Sequence, residues 1–206
     1  MKLYYSPGAC SLAPHIVLRD VGLEFTLECV DLRTHRTSTG EDFEAIHGKN
    51  YVPVLELDDG RRLTEGPVIL QYLADLHPLA GLIPHAGLAR YRVLEWLAFV
   101  AAELHKPFIP LLAGDRASSD LKEWSVQRLT RRFDWISAEL WSRSWAADDR
   151  YTIADAYLFA VLRWSDSVAI DLAPWPVLHD YLDRVAARPA VRAALQAEGV
   201  SYAVAA

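Results

Sequence analysis

The stretch Tyr51-Val52-Pro53-Val54-Leu55-Glu56, followed by Asp58-Asp59-Gly60 and Leu63-Thr64-Glu65-Gly66-Pro67, constrains this chain more than any other. Its first part reads as a short β-branched strand with a proline near its start. Proline has no N–H to give to a sheet ladder, so it belongs at a strand start, an edge or a bend. Asp59-Gly60 suits a two-residue hairpin turn, because both residue types tolerate positive φ. Arg61 to Leu63 would then pair back antiparallel. Thr64 and Glu65 open an apolar-periodic run through Val68, Ile69, Tyr72 and Leu73, which predicts a helix. Strand, hairpin, strand and helix make half of a small α/β sheet domain.

Chemistry could sit at the proline and at the helix start. A cis Val52–Pro53 bond would turn the Val52 backbone out of the sheet and offer its N–H and C=O to an extended peptide. A helix beginning at Glu65 presents free N–H groups and a positive dipole end, which favour a carboxylate. The Glu65 carboxylate could take an ammonium. Together these groups would hold a short peptide by an α-amino acid end. A plain hairpin followed by a capped helix accounts for the same residues, and the stretch alone leaves both readings open.

The rest of the chain narrows the class. At 206 residues there is room for one large domain or two small ones. A hydrophobic content of 52% with 23% charged residues suits a globular protein with a sizeable core. The net charge of −6 argues against nucleic acid as a partner, which asks for a basic face. No apolar run reaches membrane-spanning length, and Met1-Lys2-Leu3 runs straight into a strand pattern without a signal peptide. The expectation is a cytoplasmic protein without a membrane partner. Two cysteines without metal-ligand spacing fit a reducing compartment, and the 7 histidines form no His-x-x-x-His pair, so no metal is expected.

In chain order, Lys2 to Tyr5 reads as a strand and Ser6-Pro7-Gly8-Ala9 as a turn. Cys10 and Ser11 precede Leu12, His15, Ile16 and Arg19, at the N-terminus of a helix that Gly22 stops. Free N–H groups and the dipole there should depress the Cys10 thiol pKa and give it thiolate character facing the Val52-Pro53 edge. Ser11 would cap the helix. Phe25, Leu27 and Cys29 alternate with polar neighbours as a second strand, with Cys29 buried and inert. Strand, helix and strand imply a right-handed parallel unit. With the hairpin and its helix this is a thioredoxin-like domain over residues 1–78. Residues 79–86 read as a linker, and residues 87–206 as an all-helical bundle. In that bundle Leu94, Leu97, Ala101, Leu104, His105 and Phe108 share one helical face, broken near Pro107 and Pro110. Ile153 to Trp164 is apolar almost all round and so expected to be buried centrally. Thr152 and Asp155 form a capping box at its start, a structural role.

Six segments carry a resemblance: Tyr4-Tyr5-Ser6-Pro7-Gly8-Ala9-Cys10-Ser11-Leu12-Ala13, Val52-Pro53, Leu63-Thr64-Glu65, Glu103-Leu104-His105-Lys106, Thr152-Ile153-Ala154-Asp155-Ala156-Tyr157 and Arg188-Pro189. In order and spacing, over nearly the whole chain, they resemble the bacterial glutathione S-transferases of the beta class. The resemblance implies a homodimer whose thioredoxin-like domain holds glutathione close to the subunit interface, while the helical domain supplies the electrophile pocket. It implies that Val52, beside a cis Pro53, bonds the cysteinyl backbone, and that Glu65 and the Gly66 N–H hold the γ-glutamyl end. Tyr5, Cys10 and Ser11 would face the sulfur, with His105 and Lys106 approaching from the helical domain. Tyr157 and Trp164 would be either core or a wall of the electrophile pocket. Gly66 stands where many relatives have Ser, and His35 where many have Lys, so the glycyl carboxylate falls to His35 or its neighbours Arg33 and Arg36. His47-Gly48-Lys49-Asn50 departs from the usual Asn-Pro pattern. The implied activity is attack of the glutathione thiolate on hydrophobic electrophiles in detoxification, with disulfide or peroxide reduction through Cys10 as a second chemistry. A non-catalytic ligand carrier, or a regulator binding transcription machinery, is the alternative on the same fold. Cys10, Glu65 and His105 favour the enzyme.

Overall fold

The computed structural model describes residues 1–202 of the chain. Its first part runs β1 (Lys2–Tyr5), α1 (Leu12–Asp20), β2 (Thr26–Asp31), β3 (Arg36–Thr37), α2 (Phe43–Ile46), β4 (Val54–Glu56), β5 (Arg62–Thr64) and α3 (Gly66–Leu76). β1 and β2 are parallel, with Lys2 opposite Thr26 and Tyr5 opposite Cys29. Parallel strands need a crossover, and α1 supplies it. β4 lies antiparallel on the other side of β1, and β5 pairs back on β4. The sheet order is therefore β3-β2-β1-β4-β5, the thioredoxin-like arrangement with a short extra edge strand.

The Val52–Pro53 bond is cis, and β4 begins only after it, so the proline stands outside the ladder rather than within it. The hairpin is longer than its Asp59-Gly60 signature suggests. Leu57 N–H donates to Arg61 O at 2.8 Å and Gly60 N–H to Leu57 O at 2.9 Å, which leaves Asp58, Asp59 and Gly60 in the loop. Gly60 closes it at φ +82, the left-handed position of a three-residue hairpin. In β2 the fully buried residue is Val30, which packs with Tyr4 and Phe43, not Cys29, which pairs with Tyr5 and stays half-buried.

The helical part begins with α4 (Gly87–Phe99), which continues through a π-helical segment (Val100–His105) into α5 (Lys106–Leu112). The expected break at Pro107 and Pro110 does not occur. The wider π turn lies just ahead of Pro107, and the helix runs on through both prolines. α6 (Ser119–Leu140) buries Leu129, Phe133, Ile136 and Leu140 on one stripe. α7 (Ile153–Leu162) is buried at all of its residues. Its capping box is formed: Thr152 Oγ1 accepts from Ala154 N–H, and Asp155 Oδ2 accepts from Thr152 N–H at 2.8 Å. Asp155 Oδ1 also accepts from Ala146 N–H and the Tyr181 hydroxyl, so this carboxylate ties three segments together. α8 (Trp164–Ser167), α9 (Pro176–Ala186) and α10 (Pro189–Glu198) complete the order.

One hydrophobic core spans both parts, because α1 packs on α3 on one side and on α7 and α10 on the other. A smaller cluster of Tyr4, Val30, Phe43, Val52 and Val54 covers the opposite face of the sheet. The segment between α3 and α4 is tied down: Ile153 N–H donates to Leu82 O, and the Arg90 guanidinium bridges Asp75 and Pro84 O. Among the described residues, no helix is long and apolar enough to cross a membrane.

Candidate functional site

The site is built where the loop after β1, the cis-proline strand start and the start of α3 meet the α4–α5 rod and α7. The loop from Ser6 to Cys10 is held from several sides. Ser11, fully buried, accepts from Ser6 N–H at 3.2 Å and donates to Ser6 O at 3.3 Å. Its hydroxyl therefore closes the loop rather than capping α1 or facing an external sulfur, a correction to both expectations. Gly8 O accepts from Trp164 Nε1 at 2.8 Å and from Arg163 at 3.2 Å, while Gly8 N–H donates to Glu198 Oε2 at 2.8 Å. Glu198 Oε1 in turn meets His15 Nδ1 at 2.8 Å, and Arg19 Nε donates to His15 Nε2. Sequence reasoning missed Gly8, Arg163 and Glu198, because a pairing across 190 residues leaves no local trace.

Cys10 is 9% exposed and its Sγ lies 3.5 Å from Val52 O, so the thiol donates to the carbonyl beside the cis proline. Burial pushes this thiol up to about 12, against the backbone N–H groups of Cys10 and Ser11 and the charge of Lys106. The expected depression is thus reversed. A buried thiolate loses its hydration, and helix-end N–H groups restore only part of it.

His105 ends the π segment, and its Nδ1 lies 3.1 Å from the Tyr157 hydroxyl. Trp164 packs edge-on against the imidazole, with centroids 4.9 Å apart. Burial, with Lys106 beside it, brings His105 down to about 4, so the ring is neutral near neutral pH. Lys106 itself is exposed. Tyr157 and Trp164 are 3% and 5% exposed, which makes them supports beneath the site rather than an open wall. Tyr5 is not brought to Cys10. It faces Cys29 across the β1–β2 pair and the His15 ring at 6.2 Å, because alternation along β1 turns it away from Tyr4.

At the peptide end, Val52 is buried and Glu65 precedes α3 at φ +67. Glu65, not Thr64, is the N-cap residue. Its Oε1 accepts from the Tyr51 hydroxyl at 2.6 Å and Lys49 Nζ at 2.7 Å, and these bonds, Lys49's first, hold the carboxyl below its ordinary range. Gly66 is the first residue of α3, and a side chain there would meet the Tyr157 ring at 3.8 Å, ordinary contact distance. His35 sits in the β2–β3 turn at φ +56 with Nδ1 enclosed and unpartnered among the described residues, as are His47 Nε2 and Asn50 Oδ1. Arg36 is spent on Gly40 O at 3.0 Å, and Arg33 is exposed. Lys49 and Tyr51 are further site residues that sequence reasoning missed, although Tyr51 directly precedes the Val52-Pro53 pair. Among the described residues, no group of three or more His, Cys, Asp or Glu side chains could hold a metal ion.

A family profile described as the N-terminal domain of glutathione S-transferase matches residues 8–76, and one for the C-terminal domain matches residues 99–189. Glutathione S-transferase GstA of Escherichia coli O157:H7 is 45% identical over 201 residues, covering 97% of this chain and 100% of that protein. A solved sphingomonad glutathione S-transferase complexed with glutathione is 44% identical with a TM-score of 0.93, covering 98% of this chain and 100% of the other. A bacterial beta-class glutathione S-transferase from Sphingomonas chungbukensis is 42% identical with a TM-score of 0.94, at the same coverage.

Proposed function

The chain belongs to the glutathione S-transferase family and is a glutathione S-transferase, and from that premise we propose how its residues divide the work. Residues 1–78 hold glutathione, and residues 87–206 supply the side from which a small hydrophobic electrophile approaches. The observation that carries this reading is the contact of the Cys10 thiol with the Val52 carbonyl, together with the seat of the Gly66 helix start against the Tyr157 ring, whose hydroxyl meets His105. The γ-glutamyl ammonium takes Glu65, whose Oε2 has no partner among the described residues, and its α-carboxylate takes the Gly66 N–H, since Pro67 has none and the Val68 and Ile69 N–H groups both donate to Glu65 O. The cysteinyl N–H donates to Val52 O. That bond displaces the Cys10 S–H from the same carbonyl, and the freed thiol turns to the glutathione sulfur as a neutral donor. The glycyl carboxylate goes to the turn bearing His35, and Lys106 adds positive charge to the cleft.

Glutathione's thiol, with an ordinary pKa of roughly 8.5, releases its proton to water. Donors from Cys10 and His105 stabilise the thiolate left behind, and about 1.4 kcal/mol of such stabilisation makes ionisation tenfold more favourable. The sulfur then forms a bond to the electrophilic carbon. A leaving group departs with its electron pair, or the pair moves onto an acceptor that takes up a proton. Disulfide or peroxide reduction through Cys10 needs a Cys10 thiolate, and burial of that thiol argues for conjugation instead. The non-catalytic carrier is disfavoured.

The assembly is a cytoplasmic homodimer acting in detoxification. Leu88 and Tyr91 on α4 are 70% and 66% exposed, Val68 and Leu76 on α3 are exposed as well, and the two helices pack together, so a second copy would cover apolar surface on both. Sedimentation should give twice 23.1 kDa. Calorimetry with glutathione and a conjugation assay with an aromatic electrophile test the activity. Binding without turnover on any electrophile would return the carrier reading.

A further inference from the structure

We propose that Tyr157 is a positioning residue: its hydroxyl donates to His105 Nδ1 and so fixes the imidazole in the tautomer that carries its proton on Nε2. The role at sulfur rests on the proposed function, in which His105 faces the glutathione thiolate.

The 3.1 Å contact between His105 Nδ1 and the Tyr157 hydroxyl can run in either direction. A neutral imidazole has one N–H and one lone pair, and a phenol has one O–H. If Nδ1 carried the proton and donated, the phenol hydrogen would need another acceptor. Tyr157 is 3% exposed, and its hydroxyl has no other hydrogen-bond partner among the described residues. A buried hydroxyl hydrogen without an acceptor is costly, so the arrangement that satisfies both groups has the phenol donating. The ring proton then sits on Nε2. That nitrogen has no protein partner among the described residues and is not among the enclosed, unpartnered atoms, so it remains open to a ligand.

The surroundings keep the arrangement rigid. Tyr157 lies on the fully buried α7, and Trp164 packs edge-on against the imidazole while its own Nε1 is held by Gly8 O. The charged and titratable groups facing the pair are Lys106 beside His105, and Cys10 and Glu65 across the cleft from Tyr157. Burial and Lys106 both oppose an imidazolium, which keeps His105 neutral and makes its tautomer the deciding variable. An Nε2–H tautomer is a hydrogen-bond donor. It can stabilise a thiolate already formed but cannot take the thiol proton as a base. Tyr157 thereby selects which of two roles His105 plays.

The test uses the full-length protein labelled with 15N-histidine. In the unliganded wild type, the His105 ring signals should be those of the Nε2–H tautomer, and an Nδ1–H pattern overturns the proposal whether or not any variant folds. In Tyr157→Phe, which keeps the ring and its packing, the signals should move to a mixture. The thiolate ultraviolet absorbance of bound glutathione, titrated against pH, supplies the second readout. Tyr157→Phe should raise the bound thiol pKa by about one unit, roughly a tenfold loss of thiolate at neutral pH. His105→Ala should do the same, and the double variant should lose no more than either alone, because the two act as one unit. A thiol titration unchanged in Tyr157→Phe but raised in His105→Ala overturns the role of Tyr157. If His105→Ala also leaves it unchanged, His105 is not at the sulfur and the role assigned to Tyr157 falls with the reading beneath it, while the ring signals still report the tautomer separately.

Discussion

Two helix starts face the same cleft and treat their ionisable groups in opposite ways. Cys10 lies two residues ahead of α1 and is pushed up to about 12, while Glu65 lies one residue ahead of α3 and is held below the ordinary carboxylate range. Both stand at a positive dipole end, worth about 0.3–1 kcal/mol. The difference lies in everything else. Glu65 is half exposed and accepts from Lys49 and Tyr51, whereas Cys10 is buried with the Val52 carbonyl as its partner. A carbonyl acceptor favours the protonated thiol, and desolvation can move the pKa of a buried group a long way. A helix start favours an anion only where water or a donor helps it.

The comparison is broken most directly at Cys10. Alkylation by iodoacetamide near neutral pH should be slower than for a free thiol by on the order of a hundredfold or more, with half-exposed Cys29 reacting first. A mass spectrum after treatment with oxidised glutathione should accordingly show little glutathionyl adduct on the Cys10 peptide. A Cys10 that alkylates fast at pH 7 would restore the thiolate reading. On the other side, Glu65→Ala should weaken glutathione binding by about 2 kcal/mol, a loss of charge pairing softened by the exposure of the carboxylate. Unchanged affinity by calorimetry would reduce Glu65 to a helix-start residue.

Smaller effects sharpen the same contrast. His105→Ala should lower kcat/KM for conjugation by about 1.5–2 kcal/mol, the loss of a donor to a charged sulfur. Cys10→Ala should cost only about 0.5–1 kcal/mol, the loss of a weak neutral donor. The reverse order would mean that Cys10 does more than donate. Smallest is the pH response of Glu65. Its folded pKa is depressed, so it contributes stability above its unfolded value of roughly 4.3 that is lost as pH falls through the lower folded value. Lys49→Ala should flatten that acid limb in a denaturant titration, and an unaltered limb would show that Tyr51 alone holds the carboxylate.

What was legible in the sequence was local. The capping box joins Thr152 to Asp155 three residues on, and the alternation of Phe25, Leu27 and Cys29 fixes a strand whatever lies over it. The order of strands and helices spelled out the thioredoxin-like half, and an Ile153–Leu162 segment apolar but for its capping Asp155 announced a central helix. The site was harder, because its properties come from distant packing. Nothing beside Cys10 tells that its thiol will be sealed against Val52, and nothing beside Ser11 tells that its hydroxyl turns back on Ser6. The prolines at 107 and 110 advertised a break that the π turn absorbs. Lys49 looked like a departure from a familiar pattern and proved to be a partner of Glu65.

The single residue Gly8 has a consequence for how such a chain can be recombined. Its carbonyl is gripped by Trp164 and Arg163 and its N–H by Glu198, all from the far half of the sequence. The halves therefore cannot be exchanged between relatives as interchangeable cassettes. A hybrid that kept this N-terminal half but borrowed another helical half without those three side chains would leave the Cys10 loop held by its own half alone, through Ser11 to Ser6 and Cys10 to Val52. Inheritance of the sulfur end is written at residues 163, 164 and 198 as firmly as at residue 10.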